Sequence, residues 1–220
     1  MILEFKNIKK TYSQGTKELN VLNGLNFQID QAKSIAVLGK SGSGKSTFLS
    51  LGSGLDKPDS GEIIIHNQSI VDMTENELAV FRAKNIGIIF QHFHLMQNLT
   101  AFENIILPLE IVGISEAKEK TLEALKKVEL DHRMNHFPHQ LSGGEKQRVA
   151  IARAIVTKPN IIFADEPSGN LDSETGQKVM ELLFDLVKDI KTTLVLVTHD
   201  IDLSKKCDEV YYLKDHRLEK

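Results

Sequence analysis

Gly39-Lys40-Ser41-Gly42-Ser43-Gly44-Lys45-Ser46, extended by Thr47, constrains this chain more than any other stretch. It fits G-x-x-x-x-G-K-[ST] at every fixed position and follows Ser34-Ile35-Ala36-Val37-Leu38, a short apolar run that reads as a buried strand. Phe48-Leu49-Ser50-Leu51 then reads as the first turns of a helix, so strand, glycine loop and helix stand in the required order. Glycine lets the backbone fold tightly enough for several N–H groups to converge, and the helix start adds roughly half a positive charge. The expected ligand is a nucleotide held by its phosphates. Gly39, Ser41, Gly42, Ser43, Gly44 and Thr47 belong to the expected cradle; Lys45 is expected to reach the β and γ phosphates, and the Ser46 hydroxyl to ligate magnesium.

Magnesium held by one serine and two phosphates still needs an acidic partner. The apolar run Ile161-Ile162-Phe163-Ala164 ends in Asp165, which puts that carboxylate at a strand end on the sheet edge expected for the phosphate loop. Glu166 follows at once and is expected to act as general base on a water in line with the γ phosphate. Leu141-Ser142-Gly143-Gly144-Glu145 is the second informative stretch: Ser142 and Glu145 form a capping box that opens a helix. Each glycine in a helix costs roughly 1 kcal/mol relative to alanine, so the pair points to close approach of a group, with an anion at the positive helix end as the fit.

With 220 residues the chain can bury a sizeable core, as one large domain or one with a smaller subdomain attached. A net charge of −3 and the lack of any basic run give no reason to expect nucleic acid as a partner. Met1-Ile2-Leu3-Glu4-Phe5-Lys6 lacks the pattern of a secretory signal, no apolar run approaches the length of a bilayer span, and the chain is expected to be cytosolic. Cys207 is the only cysteine, which excludes an intramolecular disulfide and a cysteine-built zinc site. His132, His136 and His139 match no recognised metal spacing, with Pro138 breaking any shared helix face, and are expected to be solvated loop residues.

Leu3 to Ile8 and Val21 to Ile29 alternate as antiparallel strands around a polar loop containing Gly15, with Tyr12 just past the first strand. Gly61 to Ile65 and Ile86 to Phe90 read as further strands, the latter delivering Gln91. Thr74/Glu77 and Thr100/Glu103 form capping boxes; the helix opened by Thr100 carries Pro108 as a kink or stop, and Ser115 to Val128 reads as an amphipathic helix. Residues 92–141 are therefore expected to form a helical insert between catalytic-core segments 1–91 and 142–220. After Asn160 the α/β alternation resumes with a helix from Glu174 to Lys191, a strand from Thr193 to Val197, a short helix near Asp202 and a strand from Glu209 to Leu213. Strands apolar on both faces argue for a mostly parallel sheet covered by helices, an α/β fold. No Asn-Lys-x-Asp guanine reader accompanies the phosphate loop.

Tyr12, Gly39 to Thr47, Gln91, Leu141 to Glu145, Ile161 to Glu166, Ser168-Gly169-Asn170-Leu171-Asp172 and His199 occur in the order and approximate spacing of the ATP-binding cassette (ABC) ATPases, and the chain resembles that family over nearly its full length. The resemblance implies a P-loop NTPase fold with an N-terminal antiparallel β-subdomain and an inserted helical subdomain. It also implies ATP and Mg²⁺ as cofactors: Tyr12 stacking on adenine, Gln91 touching magnesium and the attacking water, and His199 holding the γ phosphate. Ser142, Gly143 and Gly144 would meet ATP bound on a second copy, with Asp172 at the same seam, so that a homodimer closes on two Mg·ATP.

Phe90 to Met96, Leu99 to Asn104, Leu107-Pro108-Leu109 and Glu166 to Asp172 look like the lipoprotein-releasing (LolD) and macrolide-exporter (MacB) branch. That branch implies an ATPase driving separate permease subunits, four-span with large external domains, from the cytoplasmic face of the bacterial inner membrane. An FtsE-like role in cell division without transport is the alternative. The apolar segment Phe93 to Val112 is either the surface that meets the permease or ordinary core of the insert. There are two departures from the family pattern: Phe48 where an aliphatic residue is usual, and Asp215-His216 in place of an Asp-Gly turn.

Overall fold

A computed structural model describes every residue except Thr16, with Gln14 and Lys17 described by their backbone alone. In chain order the elements begin β1 (Leu3–Gln14), β2 (Lys17–Ile29), β3 (Ser34–Leu38), α1 (Lys45–Gly52), β4 (Ser60–Ile65), β5 (Gln68–Ser69) and α2 (Glu75–Asn85). There follow β6 (Ile86–Ile89), α3 (Ala101–Ile111), α4 (Ala117–Lys127), α5 (Gly143–Ile155), β7 (Ile161–Asp165) and α6 (Ser173–Ile190). The chain ends with β8 (Thr193–Val197), α7 (Ile201–Ser204), β9 (Glu209–Lys214) and β10 (Arg217–Glu219). Two compact units divide them: Met1–Arg82 with Phe163–Asp165 and Thr193–Lys220, and Ala83–Ile162 with Glu166–Thr192.

The first unit holds a four-stranded antiparallel sheet, order β2-β1-β4-β5, and the run β10-β9-β3-β8-β7 of a mixed sheet. Parallel pairing of β3 with β8 matches Val37 to Val197, and parallel pairing with β9 matches Leu38 to Tyr212. The loops that begin at Gly39 and Thr198 consequently leave the same sheet edge. Both β1 and β2 are longer than expected: only Gly15 and Thr16 separate them, Thr16 lying outside the described residues, and Tyr12 falls inside β1, opposite Leu19.

The unusual Phe48 is explained by what it packs on. Its ring stacks on Phe5 at 5.0 Å and meets Phe27 edge-on at 5.6 Å, while Phe27 meets Tyr211 at 5.2 Å. One aromatic cluster thus joins the first strands, the helix after the phosphate loop and β9, and Phe48 is fully buried within it. The second departure is a turn of two left-handed residues, Asp215 at φ 47 and His216 at φ 66, closing the β9–β10 hairpin. That is the backbone twist a two-residue hairpin favours, and a reason for glycine at the second place. His216 keeps the shape without glycine, its ring Nδ1 lying 3.0 Å from the Val21 carbonyl oxygen.

In the second unit α5 packs against β6, α3, α4 and α6, and α3 packs against α4. Both capping boxes here form: Thr100 accepts from the Glu103 N–H as Glu103 reaches back to Thr100, and Ser142 does the same with Glu145. Pro108 does not stop α3, which runs on to Ile111. Gly87 is required because a Cβ there would collide with the Ala154 carbonyl of α5, letting helix and strand approach closely.

Phe48→Ala should cost about 3–5 kcal/mol of stability and Phe48→Leu about 1–2, since leucine refills part of the volume but loses the ring contacts. Urea unfolding of the three proteins checks the order.

Candidate functional site

Glycine geometry shapes the loop between β3 and α1. Gly42 at φ 77 and Gly44 at φ 100 turn the backbone in the left-handed region, and Gly44 serves as N-cap of α1 without any side-chain cap. A Cβ on Gly44 would lie 2.8 Å from Val21 Cγ1, and one on Gly39 would lie 2.9 Å from the Leu213 carbonyl oxygen, so neighbouring strands press on the loop as well. Lys45 is buried and its ammonium donates to the Gly39 carbonyl at 2.8 Å and the Lys40 carbonyl at 3.1 Å. The lysine arches back over the loop it follows. Ser43 Oγ is buried with no hydrogen-bond partner, a polar atom in want of a ligand. With an uncapped helix start, a buried ammonium and an exposed Ser46 hydroxyl, the donor set fits a polyphosphate with a hard divalent cation.

Tyr12 is anchored by contacts that sequence reading missed. Its hydroxyl donates to Asp56 Oδ2 at 2.7 Å, Lys10 Nζ lies 5.0 Å from the ring centroid, and the same ammonium donates to Asp56 Oδ1 at 2.9 Å and the Lys57 carbonyl at 2.7 Å. The ring is pinned by its polar tip while its body remains 38% exposed, which suits a stacking platform. Burial raises the Tyr12 phenol's pKa, and the hydrogen bond to Asp56 adds to it. For Asp56 burial acts to raise the pKa, but the Lys10 and Tyr12 hydrogen bonds outweigh it and hold the carboxyl below its ordinary value. No local pattern announces Asp56, 44 residues from Tyr12.

Asp165 closes β7 and is half-buried, and His199 follows β8 at the edge where the phosphate loop leaves the sheet. Glu166 stands at φ 42, a left-handed conformation without glycine, and its carbonyl accepts from the Gly169 N–H at 2.9 Å. Such backbone costs roughly 1–2 kcal/mol and concentrates at sites where a side chain must be aimed.

Gln91 is tied to the loop after Glu166. Asn170 Nδ2 donates to the Gln91 carbonyl at 2.9 Å and lies 3.0 Å from His92 Nδ1, while Gln91 Nε2 donates to Asn170 Oδ1 at 3.3 Å. A Cβ on Gly169 would sit 2.8 Å from Gln91 Nε2, so the glutamine amide lies directly over that glycine. Ser142, at the start of α5, is exposed, and its N–H together with Arg133 keeps the Glu145 carboxyl below its ordinary pKa. The glycine pair has an explanation within the chain: a Cβ on Gly144 would lie 2.5 Å from Thr175 Cγ2, and one on Gly143 would lie 3.2 Å from Leu171 Cδ2. Close approach is real here, and Thr175 and Leu171 are two of the groups that come near. Asp172 caps α6 by accepting from the Thr175 N–H at 3.0 Å, the bond that chiefly lowers its pKa.

Among the three histidines, His132 and His139 are exposed as expected. His136 is half-buried, with its Nε2 3.1 Å from Arg133 Nη1 and its carbonyl accepting from the Ala101 N–H that opens α3. Burial pushes the Cys207 thiol up to about 12, which favours the thiol over the thiolate.

Because the Asp56 carboxyl titrates below its unfolded value, its contribution to stability is complete above about pH 4 and is lost as pH falls through the folded value. Urea unfolding between pH 6 and pH 3 should show a shallower acid loss in Asp56→Asn than in the parent chain. The Tyr12 phenol should move back towards its ordinary pKa in the same variant, read by ultraviolet titration.

The protein-family profile described as ABC transporter matches residues 22–169. A relative named lipoprotein-releasing system ATP-binding protein LolD, from Pseudoalteromonas translucida, is 44% identical over 99% of this chain and 95% of its own length. An Escherichia coli K12 protein named uncharacterized ABC transporter ATP-binding protein YbbA is 43% identical over 99% of this chain and 96% of its own. Among solved structures, the cassette MJ0796, described as a dimer in a post-hydrolysis state bound to ADP and Pi, superimposes with a TM-score of 0.91 at 42% identity. That similarity covers 100% of this chain and 97% of that one. Profile, relatives and fold agree with the phosphate loop, the acidic strand end and the Ser142 helix start: the chain belongs to the ABC transporter family of ATP-binding cassettes.

Proposed function

We propose that this chain is the ATP-hydrolysing subunit of an ABC transporter of the lipoprotein-releasing type, powering separate permease subunits. The observation that carries the reading is the loop at Gly39–Thr47: left-handed glycines, a buried lysine arched across it and the unpartnered Ser43 hydroxyl make a ready polyphosphate cradle. The relatives named LolD support the branch. Under this reading Tyr12 stacks on adenine, Lys45 binds the β and γ phosphates, and Ser46, Asp165 and Gln91 hold Mg²⁺. The metal supplies neutralisation of phosphate charge; Glu166 takes the proton from the attacking water and His199 holds the γ phosphate.

A second copy of the chain supplies Ser142, Gly143 and Gly144 to each nucleotide, with Asp172 at the seam, as the dimeric cassette MJ0796 suggests by its likeness. Residues of about 92–141 serve as the helical subdomain between core segments 1–91 and 142–220. No helix among the described residues is long and apolar enough to cross a membrane. The work therefore leaves through contact with permease subunits, four-span with large external domains, at the cytoplasmic face of the inner membrane. The exposed Met96 and Ile111, within the segment Phe93 to Val112, belong to the docking surface.

Glu166→Gln should lower turnover by about 10² to 10⁴-fold while leaving ATP bound, and the variant saturated with Mg·ATP should sediment as a dimer. A strictly monomeric variant under those conditions would overturn the two-copy arrangement. Lys45→Ala should weaken ATP binding by roughly 10- to 100-fold in calorimetry, the usual effect of losing one charge-assisted contact.

A further inference from the structure

Residues 91–100 have neither helix nor strand, yet side chains from three separate places hold their backbone. Asn170 binds the Gln91 carbonyl. Asn104, almost completely buried in α3, accepts from the Met96 N–H at 2.8 Å and donates to the carbonyls of Met96, Leu99 and Thr100 at 3.0–3.1 Å. Between these two holds stand Phe93 at φ 61 and His94 at φ 46, consecutive left-handed residues without a glycine, so this bend needs an external restraint.

The restraint is Arg153. Its Nη1 donates to the His94 carbonyl at 2.7 Å and its Nη2 to the Phe93 carbonyl at 3.0 Å, two prongs of one planar guanidinium on two successive carbonyls. Burial lowers the guanidinium's pKa, and no carboxylate pairs with it among the described residues. A half-buried cation that gives two of its N–H groups to successive backbone oxygens is an uncommon use of arginine, and bonds with an ionised donor are roughly twice as strong as neutral ones. Arg153 lies in α5, whose N-cap is Ser142. A helix of 13 residues is a rod about 20 Å long.

We propose that Arg153 is a positioning residue for ATP hydrolysis, the joint that fastens the backbone next to Gln91 to the rod whose other end carries Ser142 and Gly144. The inference rests on the function proposed above and deepens it. A permease that displaces Phe93–His94 moves α5, and with it the Ser142 end, because the fork transmits direction as well as pull. Lysine at this position is a point charge that holds one carbonyl well, not two.

The test compares the full chain with Arg153→Lys and Arg153→Gln by hydrogen exchange and steady-state hydrolysis. Protection of amides 91–96 should fall at least tenfold in Arg153→Gln and by less in Arg153→Lys, while peptides from α3 and β7 exchange as before. Turnover should fall about tenfold in Arg153→Gln with KM for ATP within twofold. Unchanged exchange at 91–96 overturns the proposal, as does a uniform loss of protection reaching α3 and β7, which marks a merely structural arginine; a rise in KM with unaltered kcat also overturns it. The exchange measurement reads the joint even if the parent chain fails to hydrolyse ATP, an outcome that would instead refute the proposed function.

Discussion

A loop turned through two left-handed glycines keeps its shape only where something rigid grips both of its ends, and the packing around β3 and α1 follows from that constraint. The left-handed turns at Gly42 and Gly44 bring no side-chain contacts of their own. The grip comes from β3 on one side and α1 on the other, with Phe48 sunk among Phe5 and Phe27 three residues after Lys45. Lys45 completes the arrangement by bonding the carbonyls of Gly39 and Lys40.

The same logic recurs wherever a functional side chain sits on irregular backbone. Glu166, Phe93 and His94 occupy left-handed positions without glycine, and each is held by a bond from outside its own turn or a neighbour three residues on. Elsewhere in the chain, Asn104 fastens the segment Met96–Thr100 and Asp56 fastens Tyr12. Strain of this kind persists only when surrounding structure over-determines it, which is why these holding residues are as much part of the site as the groups they hold.

Much of this was legible in the residue order. The phosphate loop, the acidic end of β7, the capping boxes at Thr100 and Ser142, and the alternation of buried strands with helices all have short-range signatures, and each formed as read. Of the two readings of Pro108, a kink or a stop, the stop is excluded, since α3 continues through it to Ile111. The glycine pair after Ser142 read correctly as a place of close approach, with Thr175 and Leu171 standing within contact distance of a Cβ at Gly144 and Gly143.

By itself the sequence determined which chemistry the chain carries: amide cradle, ammonium, hydroxyl and carboxylates appear in fixed local spacing, and local spacing is what a linear string records. It also determined the family, since several such motifs in order are specific where one is not. Only the tertiary structure decided what holds those groups in place. Asp56 meets Tyr12 across 44 positions, Asn170 meets Gln91 across 79, and Arg153 meets His94 across 59. Partners at such separations are chosen by how strands pair and helices pack, and no periodicity along the chain encodes that choice.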